Sequence, residues 1–167
     1  TLLLARKIGE EKYKKFLEVS GLLKNPTIQL EEVGEPLKFD WNKCKLETVS
    51  FGHGITTTPL QATAVYAALA NGGKRIKPSL LVNDIDENQE KLISEVNSTK
   101  INKILRKVVN DDEGTAHLAD VHGYYVGGKT GTSQNYKFKN MNLNTFISVF
   151  PSHRPKYVLL VMLENPQ

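Results

Sequence analysis

The spacing of apolar residues changes once along this chain, and that change limits its fold more than any other feature. In the first two-thirds the spacing is helical. Tyr13, Phe16 and Leu17 share a face within Glu10 to Val19, and Ile101, Ile104, Leu105, Val108 and Val109 keep the i, i+3, i+4, i+7, i+8 pattern of an amphipathic helix. In the last third the pattern is that of strands, over Tyr124 to Thr132, Phe146 to Phe150 and Tyr157 to Leu163. Pro151 to Pro155 turns the last two into a hairpin. Helices first and an antiparallel sheet last predict an α+β fold.

Smaller signals place the remaining elements. Leu2 to Arg6 reads as the tail of a helix, interrupted by Gly9, and Ser20-Gly21 stops the helix that follows. Residues 24 to 50 hold no sustained period and are punctuated by Pro26, Gly34 and Pro36, so a loop with one short strand is expected there. Thr58-Pro59-Leu60-Gln61 is a helix start: Thr58 can cap, proline suits the first helical position, and Gln61 can reach back as a capping box. The residues QATAVYAALA after it are almost all small or apolar, which predicts a helix buried in the centre and ended by Asn71-Gly72-Gly73.

Composition adds bounds. The 167 residues make one domain or a large piece of one, long enough to bury a core. Lys and Arg number 22 against 18 Asp and Glu, a net charge of +4 spread along the chain as solvated surface, and no nucleic-acid partner is expected. The single cysteine, Cys44, excludes a disulfide within the chain. No stretch approaches the roughly 20 apolar residues of a membrane span, and no leader pattern is present. The chain opens with TLLLARK and no initiator methionine, which fits a piece of a longer polypeptide.

Four motifs carry possible chemistry. Residues 123 to 130, GYYVGGKT, match the phosphate-loop pattern G-x-x-x-x-G-K-[ST]. The spacer residues Tyr, Tyr and Val prefer extended backbone, Gly131 follows the threonine, and no helical period comes after it, so nucleotide binding is not expected. Asp84, Asp86, Asn88 and Glu95 have the spacing of a calcium loop, but Gln89 holds the position that needs glycine, and a polar surface turn is expected instead. His117 and His122 stand five apart with only Asp120 between them, a poor metal site, and no metal or cofactor is expected. The fourth motif is Lys129-Thr130-Gly131-Thr132. In an extended segment Thr130 and Thr132 fall on one face. Two hydroxyls beside an ammonium make a receptor for a carboxylate, Gly131 lets another backbone approach, and an open sheet edge can pair with an extended peptide. Taken alone, the same string also reads as a glycine-rich edge strand with an incidental surface lysine.

Context favours the receptor. S-x-x-K, S-D-N and K-T-G are the set shared by serine β-lactamases and penicillin-binding proteins. SFGHGITTTPLQATAVYAALANGG (50–73), DDEGTAHLADVHGYYVGGKTGTSQ with its Gly114-Thr115, and TFISVFPSHRPKYVLLVMLENPQ together resemble the penicillin-binding protein transpeptidase domain along the whole chain. The resemblance is to class B, and within it to the cell-division (penicillin-binding protein 3) type. It implies the C-terminal part of that fold, helices packed on an antiparallel sheet. No serine here is followed by lysine three residues on, and the formal S-x-N string Ser133-Gln134-Asn135 directly follows the K-T-G strand, where the family has a turn. Residues 1–167 are therefore expected to be the C-terminal portion of a transpeptidase domain whose nucleophile-bearing portion is absent.

For the whole protein the resemblance implies a peptidoglycan D,D-transpeptidase that cross-links stem peptides through an acyl-serine and binds β-lactam antibiotics. Lys129 is expected to act on the substrate carboxylate and on the hydrogen-bond network around the missing serine. Thr130, Gly131 and Thr132 are expected to bind substrate, with the Thr132 backbone N–H in the oxyanion hole. His53 is expected either near the site or in a structural role. A β-lactam sensor on the same fold is the alternative. The implied location is the outer face of the bacterial cytoplasmic membrane, with an anchor and cell-division partners reached through parts outside this chain. The piece alone is expected to be inactive and prone to self-association.

Overall fold

The computed structural model describes residues 1–166 apart from 32, 35, 42–44, 83, 85–88 and 135–141. Cys44, the Asp86 and Asn88 of the calcium-like spacing, and Asn135 of the S-x-N string lie outside the described residues. The chain forms two compact units, Thr1–Val65 with Arg75–Leu92, and Tyr66–Lys74 with Ile93–Gln167.

The first unit opens with helices α1 (Leu2–Ile8) and α2 (Glu10–Ser20). Gly9 separates them at φ 85°, and Gly21 ends α2 in the left-handed region at φ 83°. There the Leu22 N–H donates to the Leu17 carbonyl at 3.2 Å, a turn open to a residue without a Cβ. The loop expected over residues 24 to 50 contains a five-residue helix, α3 (Lys45–Val49), and no strand among its described residues. Five residues are too few to show a period. What holds α3 is tertiary: Val49 is buried, Arg6 pairs with Glu47 at 3.3 Å, and the Tyr13 hydroxyl donates to the Val49 carbonyl.

Helix α4 (Pro59–Ala70) begins as its sequence predicts. The Thr58 N–H donates to Gln61 Oε1 at 2.8 Å, and the Gln61 N–H donates to Thr58 Oγ1 at 3.2 Å. Gln61 does more than cap. Its side-chain amide donates to the carbonyls of Gly21, Leu22 and Lys24 at 3.0, 3.4 and 2.6 Å, tying the end of α2 to the start of α4. The central burial expected for this helix is partial: Gln61, Val65, Ala68 and Ala70 are buried, and the other residues from Leu60 onward are half-buried.

The second unit holds helix α5 (Glu95–Asn110) and the strands β1 (Gly127–Gln134), β2 (Asn142–Phe150) and β3 (Tyr157–Glu164), paired antiparallel in the order β1-β2-β3. Ser94 caps α5, its hydroxyl accepting from the Asn97 N–H. Lys129 lies opposite Ile147, Thr130 opposite Phe146 and Thr132 opposite Asn144. Two apolar clusters pack the unit. Ala70, Leu105 and Val149 form one, and Val109, Ala116 and Val126 the other, with Phe146 and Phe150 against it.

The first strand begins at Gly127 rather than at Tyr124. Gly123 has φ 85° and Tyr125 φ 51°, so the Tyr-Tyr pair forms a turn despite its strand propensity. Tertiary contacts override the local preference: the Ser152 N–H donates to the Tyr125 carbonyl at 2.9 Å, and the Tyr125 ring meets His153 edge-on at 5.0 Å.

Arg106 of α5 secures the entry to β1. One guanidinium nitrogen donates to Asp120 Oδ1 and to the Val126 carbonyl, both at 2.8 Å, and the other donates to Asp120 Oδ2 at 3.0 Å. The bidentate fork is a geometry that lysine cannot reproduce. The hydrogen bonds from Arg106 hold the Asp120 carboxyl below the ordinary carboxylate range. Desolvation opposes them, and the charges of Arg106 and His122 reinforce them.

Two stability predictions follow from these contacts. Gln61→Leu leaves three carbonyls and the Thr58 N–H without their partner, and urea unfolding is expected to show a loss of about 2–3 kcal/mol. A loss below about 0.5 kcal/mol, half of a typical hydrogen bond, would show that the amide is not what joins α2 to α4. Because the folded-state pKa of Asp120 is depressed, its contribution is complete above the ordinary carboxylate range and disappears as pH falls through the lowered value. Asp120→Asn should melt below the wild type at neutral pH, and the gap should close on acidification. A gap that persists at the lowest accessible pH would show that the carboxylate charge is not its source.

Candidate active site

The stretch GGKTGTSQ is strand throughout, from Gly127 to Gln134. No helix starts at Thr130, so the phosphate-loop match has no helix N-terminus at which backbone N–H groups could converge on a phosphate.

Strand β1 pairs with β2 and with no other strand among the described residues, so its second edge is an open one. Which residues face that edge follows from the hydrogen bonds around the strand. The Gly131 carbonyl accepts from Thr145 Oγ1 of β2 at 3.2 Å, and the Tyr125 carbonyl accepts from Ser152 just past β2. The Val126 carbonyl turns the other way, to Arg106 of α5. Successive residues of an antiparallel strand direct their N–H and C=O groups to alternate sides. The backbone groups of Thr130 and Thr132 therefore point away from β2, toward the open edge. The Lys129 ammonium lies along that edge too, donating to the Thr130 carbonyl at 2.9 Å.

The side chains follow the same period. Thr130 and Thr132 share a face, as the spacing predicts. Gly131 between them has no room for a Cβ, which would lie 2.6 Å from Thr145 Oγ1. Lys129, Gly131 and Thr132 are exposed and Thr130 is half-buried. The edge thus offers a solvent-accessible ammonium, two hydroxyls and outward backbone N–H groups within four residues. These are the donors that a carboxylate and an extended peptide require.

A further residue, Thr115, joins them through a contact that local pattern could not reveal. The Thr130 hydroxyl lies 3.1 Å from the hydroxyl of Thr115, fifteen residues upstream, in the loop between α5 and a single 3-10 turn at His117–Ala119. The sequence marks Thr115 only as part of the Gly114-Thr115 pair in the family resemblance, which says nothing of its contact with Thr130. Only the glycine before it, crowded against the end of α5, hints at a fixed backbone.

His53 is exposed in the first unit with its ring stacked on Phe51, centroids 6.4 Å apart. Asp84, the first position of the calcium-like spacing, accepts from Gln29 at 2.6 Å and pairs with Lys77 at 3.6 Å. The His117 ring nitrogen Nδ1 lies 3.1 Å from the Gly114 carbonyl. Among the described residues no helix is long and apolar enough to cross a membrane.

The chain is similar to known proteins along its whole length. The chain is 30% identical over 181 residues to the probable peptidoglycan D,D-transpeptidase FtsI of Caulobacter vibrioides, covering 100% of this chain and 31% of that protein. It is 32% identical over 183 residues to stage V sporulation protein D of Bacillus subtilis, covering 98% of this chain and 28% of that protein. It thus spans about three-tenths of the length of these relatives. The crystal structure of penicillin-binding protein 3 from Mycobacterium tuberculosis complexed with ampicillin superposes with a TM-score of 0.85 at 29% identity, over 99% of this chain and 42% of that one. The pattern of the penicillin binding protein transpeptidase domain matches residues 1–167, and the chain belongs to that family.

Proposed function

We propose that this chain supplies the carboxylate-binding edge of a peptidoglycan D,D-transpeptidase of the cell-division type, and that it is the C-terminal portion of that enzyme's catalytic domain. One observation carries the reading: Lys129, Thr130 and Thr132 line the open edge of β1, where the backbone of both threonines faces outward. The substrate is a stem peptide ending in D-Ala-D-Ala. The nucleophilic serine comes from a part of the longer protein outside these residues, since no serine here precedes a lysine by three.

Each group then has a role. The Lys129 ammonium attracts the terminal carboxylate, and the hydroxyls of Thr130 and Thr132 donate to it. Gly131 leaves the strand surface clear for the peptide. The outward N–H of Thr132, with that of the serine, receives the oxyanion as the penultimate carbonyl is attacked. A β-lactam uses the same contacts, because it too carries a carboxylate beside a reactive carbonyl. Ampicillin on the penicillin-binding protein 3 of M. tuberculosis supports this part of the reading. The family's place of work is the bacterial envelope, and the anchor and division partners belong to the longer protein.

Three outcomes are expected. In the full-length protein, Lys129→Ala should slow acylation by a fluorescent penicillin on the order of 10²-fold or more, the scale for a preorganised electrostatic group. Thr132→Val keeps the oxyanion N–H and should cost less. A substrate whose terminal carboxylate is amidated should be acylated poorly and be nearly insensitive to Thr132→Val. Equal losses on acid and amide would show that Thr132 does not read the carboxylate.

The isolated 167-residue chain should take no denaturation-resistant penicillin label. A stoichiometric label would place the nucleophile inside it. The same chain should self-associate in sedimentation experiments, because Tyr157, Leu159, Val161, Met162 and Leu163 of β3 are 40–62% exposed. A monomer at every concentration would count against that last outcome.

A further inference from the structure

The loop that carries Thr115 is built more firmly than an exposed loop needs. A Cβ on Gly114 would lie 2.3 Å from the Val108 carbonyl oxygen and 2.8 Å from that of Asp111, so only glycine fits against the end of α5. The Gly114 N–H donates to the Asp111 carbonyl at 2.8 Å, and the Gly114 carbonyl accepts from the His117 N–H at 3.2 Å. On the other side Ala116 is buried in the cluster with Val109 and Val126, and its N–H donates to the Val108 carbonyl at 3.2 Å. Thr115 itself is exposed. Its backbone is thus fixed on both sides while its side chain is exposed, with its hydroxyl 3.1 Å from that of Thr130.

We propose that Thr115 is a positioning residue for the carboxylate edge: its hydroxyl orients the Thr130 hydroxyl so that the proton of Thr130 goes to the bound carboxylate. This rests on the carboxylate-binding reading of Lys129, Thr130 and Thr132 given above. A hydroxyl has one proton and two lone pairs. In the unliganded geometry Thr130 donates to Thr115. A carboxylate can only accept, so a Thr130 that serves it must turn its proton outward. The contact between the threonines survives that turn only by reversing, with Thr115 now donating to Thr130 Oγ1. The pair then forms a chain from Thr115 through Thr130 to the ligand, in which each bond polarises the next. No hydrogen bond is lost when the ligand arrives, and the Thr130 rotor is held in the bound state.

The test measures acylation of the full-length protein by benzylpenicillin and by its methyl ester, separating the acylation rate constant from the apparent Kd. Thr115→Val keeps the shape of the side chain and removes the hydroxyl. It is expected to slow acylation by benzylpenicillin about tenfold, the scale of one hydrogen bond, and to leave the ester nearly unchanged. Thr115→Ser should return the rate to within about twofold, since it restores the same hydrogen bond. The double variant Thr115→Val/Thr130→Val should be no slower than Thr130→Val alone, because the first residue acts only through the second.

A role in loop stability alone gives a different pattern: a lowered melting temperature, equal losses on acid and ester, and additive effects in the double variant. That pattern overturns the proposal, as does failure of Thr115→Ser to restore the rate. Should Thr115→Val not fold, Thr115→Ala gives the same comparison. Lys129→Ala separates the two levels. If it acylates at the wild-type rate, the carboxylate reading fails and this inference with it. If it is slowed while Thr115→Val is not, only the inference about Thr115 is overturned.

Discussion

No methyl group fits at Gly128, one fits at Gly127 only if its neighbours give by a few tenths of an ångström, and the placing of the site depends on that constraint. A Cβ on Gly127 would come within 3.0 Å of the Arg106 backbone nitrogen and 3.1 Å of the Leu105 carbonyl carbon. On Gly128 it would lie 2.6 Å from the Ile147 carbonyl oxygen and 2.7 Å from the Phe146 ring. Helix α5 and strand β2 therefore approach β1 closely at two successive residues. The strand is fixed just before its functional residues begin, where the Arg106 guanidinium also binds the Val126 carbonyl. Packed interiors do not deform by fractions of an ångström without cost. A strand held this way can present Lys129 and its neighbours at a set height, as electrostatic stabilisation requires of its donors.

A sheet edge suits this task because its two sides can be given different work. On β1 the residues at 129, 131 and 133 direct their backbone inward to β2, and those at 130 and 132 direct it outward. The fold is stabilised by one set and a ligand can be read by the other. An open edge is ordinarily a liability for aggregation. Here it carries a lysine, a charge that discourages unselected strand pairing while it attracts an anion.

The sequence made legible what depends on local chemistry. The capping box of Thr58 and Gln61 and the amphipathic period of α5 appear at the expected places, and the last third is strand as expected though with shifted bounds, because each is set largely by nearby residues. The features that were not legible are tertiary. Tyr124 and Tyr125 have strand propensity, but Ser152 and His153, far along the chain, hold Tyr125 in a turn. Helix α3 depends on Val49 and Glu47 meeting α1 and α2, which no window over residues 24 to 50 can show. Gln61 was read as a cap, and its second role needs three carbonyls some forty residues away. At the site the K-T-G motif gave the strand residues and the resemblance included Gly114-Thr115, but the contact of Thr115 with Thr130 stayed hidden because it depends on how the α5 loop returns to β1.

Threonine, rather than serine, at positions 130 and 132 is itself part of the preorganisation. The β-branch suits the pleated surface and narrows χ1, so most of the freedom of each side chain is already spent before a ligand binds. What remains is rotation of the hydroxyl proton. For Thr130 that rotation is opposed by the bond to Thr115. The Thr132 side chain is exposed, and its hydroxyl can turn toward an acceptor. The two hydroxyls are therefore unequal: Thr130 is engaged by Thr115 and is released toward a ligand only when Thr115 becomes the donor, whereas the Thr132 hydroxyl is exposed.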